Sequence, residues 1–217
     1  MTLARRSPGA SFVSVDVSSE ALAAARRAVR SAGLDNVEFR HGDILDLPFA
    51  TRSFDHLFVC FVLEHLARPG RALERLLRLL KPRGTVTVIE GDHGSTYFHP
   101  ESAAARAAIR CQVDLQARDG GNALLGRQLY PLLVSAGLQG VEVSPRMVYV
   151  DASRPDLVDR FTERTFIAMI EDVRGRAVEE GLTITRQFDR GIRDLRRTKR
   201  ADGVFCYTFF KGVGVRA

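Results

Sequence analysis

The stretch Phe12-Val-Ser-Val-Asp16-Val-Ser-Ser decides the fold class of this 217-residue chain. It reads as a short buried strand that ends in a carboxylate and turns at once into a helix. In nucleotide-binding α/β folds a carboxylate at that place accepts hydrogen bonds from ribose hydroxyls. Such a strand is ordinarily the second of its sheet. Here it is the first, and no glycine-rich loop stands before it.

Working outward, residues 3–9 look like the tail of a helix stopped at Ser7-Pro-Gly. Ser18 or Ser19 caps a helix running to Gly33, with Leu22, Ala25, Val29 and Ala32 on one face. Val37-Glu-Phe-Arg-His alternates like a strand and leads to Gly42-Asp43. Phe54-Asp-His-Leu-Phe-Val-Cys-Phe is a nearly continuous apolar run, as buried parallel strands are. Pro69 opens a helix carrying Leu73, Leu76, Leu77 and Leu80, Lys81-Pro-Arg-Gly84 breaks it, and Thr85-Val-Thr-Val-Ile-Glu90 is the next strand. This order predicts an α/β fold on a parallel sheet. Beyond it, residues 101–118 and 125–136 read as helices, 141–150 as a strand, 155–180 and 185–200 as two amphipathic helices, and Gly203-Val-Phe-Cys-Tyr-Thr-Phe-Phe-Lys211 as a last strand rich in aromatics.

Hydrophobic content of 45% and charged content of 27% are those of a globular domain with a real core. No apolar run has the roughly 18 residues of a spanning helix, and the basic start lacks the apolar segment of a signal peptide. The net charge of +6 raises nucleic-acid binding, but the arginines are scattered beside acids on helices. The densest patch, Arg193, Arg196, Arg197, Lys199 and Arg200, lacks interleaved aromatics for base stacking. Cys60, Cys111 and Cys206 form no C-x-x-C pair and read as free thiols of a cytoplasmic protein. Neither nucleic acid nor membrane is an expected partner, and the oligomeric state is open.

Asp16 and Asp43 each follow a strand, so both fall on the C-terminal edge of a parallel sheet, where ligands bind. Asp16 suits a ribose diol. Asp43 suits an exocyclic amine, with Ile44 against a purine face. Either alone is as readily a turn cap.

Together with Val15-Asp16-Val-Ser, the segments Gly42-Asp43-Ile-Leu-Asp-Leu-Pro-Phe, Ser53-Phe-Asp55, Val62-Leu-Glu-His65-Leu and Leu80-Lys-Pro-Arg-Gly84-Thr-Val resemble the ordered motifs of class I S-adenosylmethionine (SAM) dependent methyltransferases of the ubiquinone/menaquinone type. The resemblance covers residues 3 to about 92, and Phe205-Cys-Tyr-Thr-Phe-Phe fits the family's antiparallel last strand. It implies a Rossmann-like sheet in one methyltransferase domain, residues 1–217, with the helical segment 155–200 inserted between the last two strands as a cap. It also implies SAM as cofactor: Asp16 on the ribose with Val17 beside the adenine, Asp43 and Ile44 on the adenine, and Cys60, Phe61 and His65 at the methionine end. The family's first strand and its Gly-x-Gly loop have no counterpart. The start therefore reads as truncated or damaged, with the flanking strands left with open edges or paired to each other.

Glu90-Gly-Asp92-His93-Gly-Ser-Thr-Tyr97-Phe-His99-Pro follows a strand on the ligand edge. His93 and Tyr97 are the candidate catalytic groups, His93 as a general base, although an activated methyl donor needs only alignment in many such enzymes. No tight ligand spacing suggests a metal. Arg127 and Tyr130 sit where an acidic or aromatic substrate would be reached, or on a helix surface. Phe161, Phe166, Met169 and Ile170 give the inserted helices an apolar face, for a lid or for packing on the sheet. Two functions follow: methyl transfer to a small-molecule acceptor, impaired by the missing loop, or a non-catalytic relative that acts by binding.

Overall fold

The computed structural model describes residues 2–217, which fall into two compact units divided between Ser53 and Phe54. The first contains α1 (Thr2–Arg6), β1 (Phe12–Asp16), α2 (Ser19–Ser31) and β2 (Val37–His41). Ser18 caps α2, its hydroxyl accepting from the Ala21 amide at 3.1 Å. Gly33, at φ +66°, ends the helix in the left-handed region where a side chain is strained. β1 and β2 are parallel, in register from Phe12 opposite Val37 to Asp16 opposite His41. The Asn36 side-chain amide lies 3.0–3.2 Å from the carbonyls of Ala4, Ser7 and Ala10, and so ties α1 and the turn after it to the start of β2.

The second unit begins with β3 (Phe54–Cys60), a 3₁₀ turn (Leu63–His65) and α3 (Pro69–Leu79). Pro69 takes the first helical position, where its missing N–H costs nothing. α3 buries Leu73, Leu76 and Leu77. After it the chain turns sharply at Arg83, and Gly84 fits only because it has no side chain. A Cβ there would stand 2.9 Å from the Lys81 carbonyl and 3.1 Å from that of Asp55. There follow β4 (Leu80–His99), α4 (Ala103–Arg118), a 3₁₀ turn (Leu125–Gln128), α5 (Leu129–Ser135) and β5 (Leu138–Asp151). The rest is α6 (Pro155–Leu157), a π-helix (Val158–Ile167), α7 (Ala168–Asp172), α8 (Arg174–Glu179), α9 (Thr185–Arg197) and β6 (Val204–Arg216).

The sheet order is β3-β4-β6-β5, with β3 parallel to β4 and β6 antiparallel to both its neighbours. The antiparallel last strand and the helical insert before it are as expected. β4 is far longer than the 85–90 strand expected, at 20 residues. It pairs with β6 on both sides of a register break between Asp92 and Tyr97, so the ladder resumes beyond the loop. β1 pairs with β2 alone, and β3 with β4 alone, among the described residues.

Of the two helices expected in the insert, one is continuous and one is not. The second, expected over 185–200, is met by α9, but the first, expected over 155–180, is broken at Val173 and its middle is wound as a π-helix. The Thr165 hydroxyl donates to the Arg160 carbonyl five residues back, the spacing of the π ladder itself. Phe166, Ile167 and Ile170 share one core with Phe188, Ile192 and Leu195 of α9, with Ala105, Ile109 and Leu115 of α4, and with Phe98, Val150 and Phe205 of the strands. The apolar face of the insert is thus packed, with Phe161 and Met169 against its margin. Among the described residues no helix is long and apolar enough to cross a membrane.

Candidate active site

In the first unit Asp16 closes β1, and one carboxylate oxygen accepts from the Ser18 amide at 2.8 Å. Its second oxygen meets no donor among the described residues. Asp43 follows β2 and makes the same kind of turn, accepting from the Leu45 amide at 2.8 Å. Both carboxylates are exposed, Val17 is exposed and Ile44 half-buried. His41 closes β2 with its ring nitrogen 2.8 Å from the Val17 carbonyl. Parallel pairing brings these carboxylates to the same edge of the two-stranded sheet, and each also serves its own turn.

In the second unit the polar groups gather where β3 and β4 end. Glu90, with no exposed surface, accepts from three backbone amides of the 3₁₀ turn: Val62 at 3.2 Å, Leu63 at 2.9 Å and Glu64 at 3.2 Å. Glu64 returns the contact, accepting from the Gly91 amide at 3.2 Å. The two acids lock the ends of neighbouring parallel strands together, as a capping box locks one helix. Burial pushes Glu90 up to about 7, against the pull of the Leu63 and Val62 amides. Burial raises Glu64 as well. Position 91 must be glycine, because a Cβ would stand 2.2 Å from the Tyr207 hydroxyl and 3.0 Å from the Glu64 carboxylate.

His93 lies in the register break of β4 and is only 5% exposed. Its amide donates to the Ala123 carbonyl at 3.0 Å and its Nδ1 lies 3.2 Å from the same oxygen. Tyr207 meets the ring edge-on at 5.5 Å, with its hydroxyl 3.4 Å from Nδ1, and Phe166 stacks on the ring at 6.1 Å. Burial brings His93 down to about 4, so the imidazole is neutral near pH 7. Burial raises the Tyr207 phenol, and the nearby carboxylates of Glu64 and Asp92 add to this.

Asp92, 1% exposed, is held by a fork from Arg127, Nε to one oxygen at 2.9 Å and Nη2 to the other at 2.8 Å. Ser95 and the Gly94 amide complete its shell at 2.5 and 3.2 Å. Arg127, expected at a substrate or on a helix surface, is exposed, and its guanidinium forks onto Asp92 and so clamps the 91–96 loop. Tyr130 is exposed.

The other candidates fall as follows. Cys60 ends β3, half-buried, and burial pushes its thiol up to about 11. Phe61 follows it with φ +52°, a strained conformation for a side chain of that size, and its exposed ring meets Phe209 edge-on at 6.0 Å. His65 is exposed, 3.6 Å from Glu64. Tyr97 stands opposite Cys206 in the ladder, hence on the other face of the sheet from Tyr207. The structure brings His93 to Tyr207 and Asp92, and Tyr207 in turn to Glu64 and Glu90, and does not bring Tyr97 to them. Glu64 and Tyr207 were not singled out from the sequence. The available signal was an acid at the opening of a helix-start segment and a tyrosine within an otherwise apolar strand.

Residues 1–88 match the family model of a methyltransferase domain. The chain is 36% identical over 173 residues to an uncharacterized 37.1 kDa protein of a Streptomyces fradiae transposon, a match that covers 77% of this chain and 49% of that protein. It is 44% identical over 82 residues to the demethylmenaquinone methyltransferase of Clavibacter sepedonicus, covering 38% of this chain and 33% of that one. The chain thus spans half or less of these curated relatives. Its fold is that of the Haemonchus contortus phosphoethanolamine N-methyltransferase 2 solved with S-adenosyl-L-methionine, with a TM-score of 0.55 at 18% identity over 98% of this chain and 45% of that one. Residues 1–88 thus resemble a methyltransferase domain, and the fold of the chain is one it shares with a solved methyltransferase.

Proposed function

We propose that this chain works in the transfer of a methyl group from SAM to a small-molecule acceptor. The observation that carries the reading is the placement of Asp16 and Asp43 at the C-terminal ends of two paired parallel strands, with one Asp16 oxygen open to a ligand. The demethylmenaquinone methyltransferases among its relatives support a small-molecule acceptor. Three free thiols are in keeping with a reducing, cytoplasmic setting.

Bound SAM would supply a methyl group on a sulfonium, already activated for in-line displacement. The chain's own residues then have three tasks. Asp16 accepts from the ribose hydroxyls, with Val17 alongside the adenine, and Asp43 and Ile44 take its amino group and ring. In the second unit Cys60, Phe61 and His65 are proposed for the methionine end. His93, neutral and buried, accepts the acceptor's proton. The residues present fit the ribose and the adenine. The described residues offer no Gly-x-Gly turn between a parallel strand and a helix to cradle the amino-acid end.

Titration calorimetry of the 217-residue chain with SAM tests this reading. We expect binding weaker than low micromolar, and weaker still in Asp16→Ala. No heat up to millimolar SAM refutes the cofactor reading, and low-micromolar affinity refutes the need for the glycine turn.

A further inference from the structure

A cleft of about 760 Å³ opens in the second unit, away from His93. One wall is the corner from β4 into α4, residues 100–104, and the other is the face of α9 that carries Arg186, Arg190, Asp194 and Arg197. The walls are fixed to each other where α9 crosses α4 at Gly191. A Cβ there would stand 2.5 Å from the Ala104 carbonyl oxygen and 2.8 Å from the Ala108 Cβ, so the two helices meet almost backbone to backbone.

The partners of the charged groups decide what this cleft can hold. Glu101 is taken by the guanidinium fork of Arg106, with Nη2 at 2.8 Å from one oxygen. Arg197 forks onto Asp202, outside the cleft. Asp194 accepts from the Ser102 hydroxyl at 2.6 Å. Arg186 has no ion pair or hydrogen bond among the described residues. Arg190 meets an acid only in Asp194, at 3.9 Å, the limit of an ion pair. Arg186 and Arg190 are four residues apart on one helix, hence neighbours on the same face, about 6 Å apart along the axis. Like charges so placed repel, and a bound anion between them relieves this. Each guanidinium offers a fork of donors suited to phosphate or carboxylate oxygens. Two such forks match two negative charges, which a phosphate monoester carries near neutral pH. The cleft is far larger than a phosphate, and Pro100, Ala103, Ala104 and Ile184 give it an apolar side. We propose that the cleft between α4 and α9 binds an organic phosphate monoester, its phosphoryl oxygens held by Arg186 and Arg190 and its body laid against that apolar side. This site is independent of the methyl-transfer reading.

Titration calorimetry on the full 217-residue chain in low salt tests it. The probes are phenyl phosphate, inorganic phosphate as the charge without the body, and phenol as the body without the charge. Phenyl phosphate should bind, inorganic phosphate more weakly, and phenol not at all. Arg186→Ala should weaken phenyl phosphate by about 10-fold, the low end for a hydrogen bond to a charged group because the guanidinium is exposed. It should leave Tm in place, since the side chain has no partner to lose, and Arg186→Lys should fall between. Asp194→Asn removes the negative charge of the cleft and keeps an oxygen for Ser102, so it should tighten binding. Arg75→Ala, at an exposed arginine of α3, should change nothing. The proposal is overturned by no heat with phenyl phosphate, or by phenol or inorganic phosphate binding as tightly. It is overturned by Arg186→Ala binding like the parent, or by Arg75→Ala losing as much, which would show only the general positive field. Weaker binding in Asp194→Asn would mean that the carboxylate receives the ligand, and overturns it too. So would an oligothymidylate that displaces phenyl phosphate at lower concentration, which would assign the cleft to a nucleic-acid strand.

Discussion

Truncating Arg127 is the sharpest probe of how the 91–96 loop is held. Arg127 covers both oxygens of Asp92, a carboxylate 1% exposed, while its own side chain is 47% exposed. Removing one partner of a buried ion pair costs about 3–5 kcal/mol, because the other charge stays behind uncompensated. In Arg127→Ala, Asp92 keeps the Ser95 hydroxyl and the Gly94 amide, and water can enter where the exposed guanidinium was. We therefore expect a loss of about 2–3 kcal/mol, at the low end or just below it. For a domain of this size that lowers Tm by about 4–12 °C. Arg127→Lys should fall between, since an ammonium cannot fork onto both oxygens. The informative variant is Asp92→Asn in the Arg127→Ala background, which removes the stranded charge and should recover most of the loss. Thermal unfolding followed by circular dichroism and calorimetry reads all four chains. An Arg127→Ala chain within about 1 °C of the parent, or a double variant no better than the single one, would refute the clamp.

Four other outcomes follow from the geometry. The pKa of His93 is about 4 in the folded chain against 6.5 unfolded, so its stabilising effect is full above pH 6.5 and lost as pH falls through 4. Glu90, raised from 4.5 to about 7, acts in the opposite sense, losing stability as pH rises through 7. The stability difference between the parent and His93→Gln should therefore shift toward the variant from pH 6.5 to 4, by on the order of 3 kcal/mol. A difference that stays flat across that window would mean that His93 is solvated and its reading wrong. Asp16→Ala should lose about 10–150-fold in SAM affinity with little change in Tm, whereas a lower Tm with unchanged affinity would make Asp16 only a turn cap. Gly91→Ala drives a methyl group into the Tyr207 hydroxyl and should cost about 2 kcal/mol or more, to be read in urea unfolding, where a neutral result would dismiss the close approach. Finally, among the described residues β1 and β3 each have one edge outside any ladder, and Phe58 is exposed in mid-strand, so the 217-residue chain should self-associate. A sharp, concentration-independent monomer in light scattering, with melting above about 60 °C, would count against this.

How far the sequence could be read depended on where the decisive contacts are made. The β1–α2–β2 unit is local: a capping serine, a glycine stop and two short strands are written in the residues themselves, and the structure matches them within a residue or two. The Pro69 helix start and the Lys81–Gly84 break are local in the same way. β4 was underestimated because half its length is set by its antiparallel partner β6, more than a hundred residues away. The insert read as two plain amphipathic helices, since apolar spacing does not distinguish a π-turn from an α-turn across ten residues. His93 stood out by its place after a strand. Its burial and its neighbour Tyr207 come from packing between β4, β6 and the insert, and no residue spacing carries that. Arg127, read as reaching a substrate or lying on a helix surface, is exposed as the second alternative has it, while its fork onto Asp92, 35 residues away, is a contact no residue spacing carries.

The register break in β4 has a mechanical consequence. On either side of it the strand is laced to β6, from Thr85 to Asp92 and again from Tyr97 to His99. A ladder transmits force stiffly and yields only where rungs are missing. The unladdered span, which holds His93, is instead tied by other contacts where the rungs are missing, through the Arg127 fork on Asp92 and the His93 amide on the Ala123 carbonyl. Phe166 of the insert stacks on His93, so a load on the insert reaches the sheet through these ties rather than through the ladder.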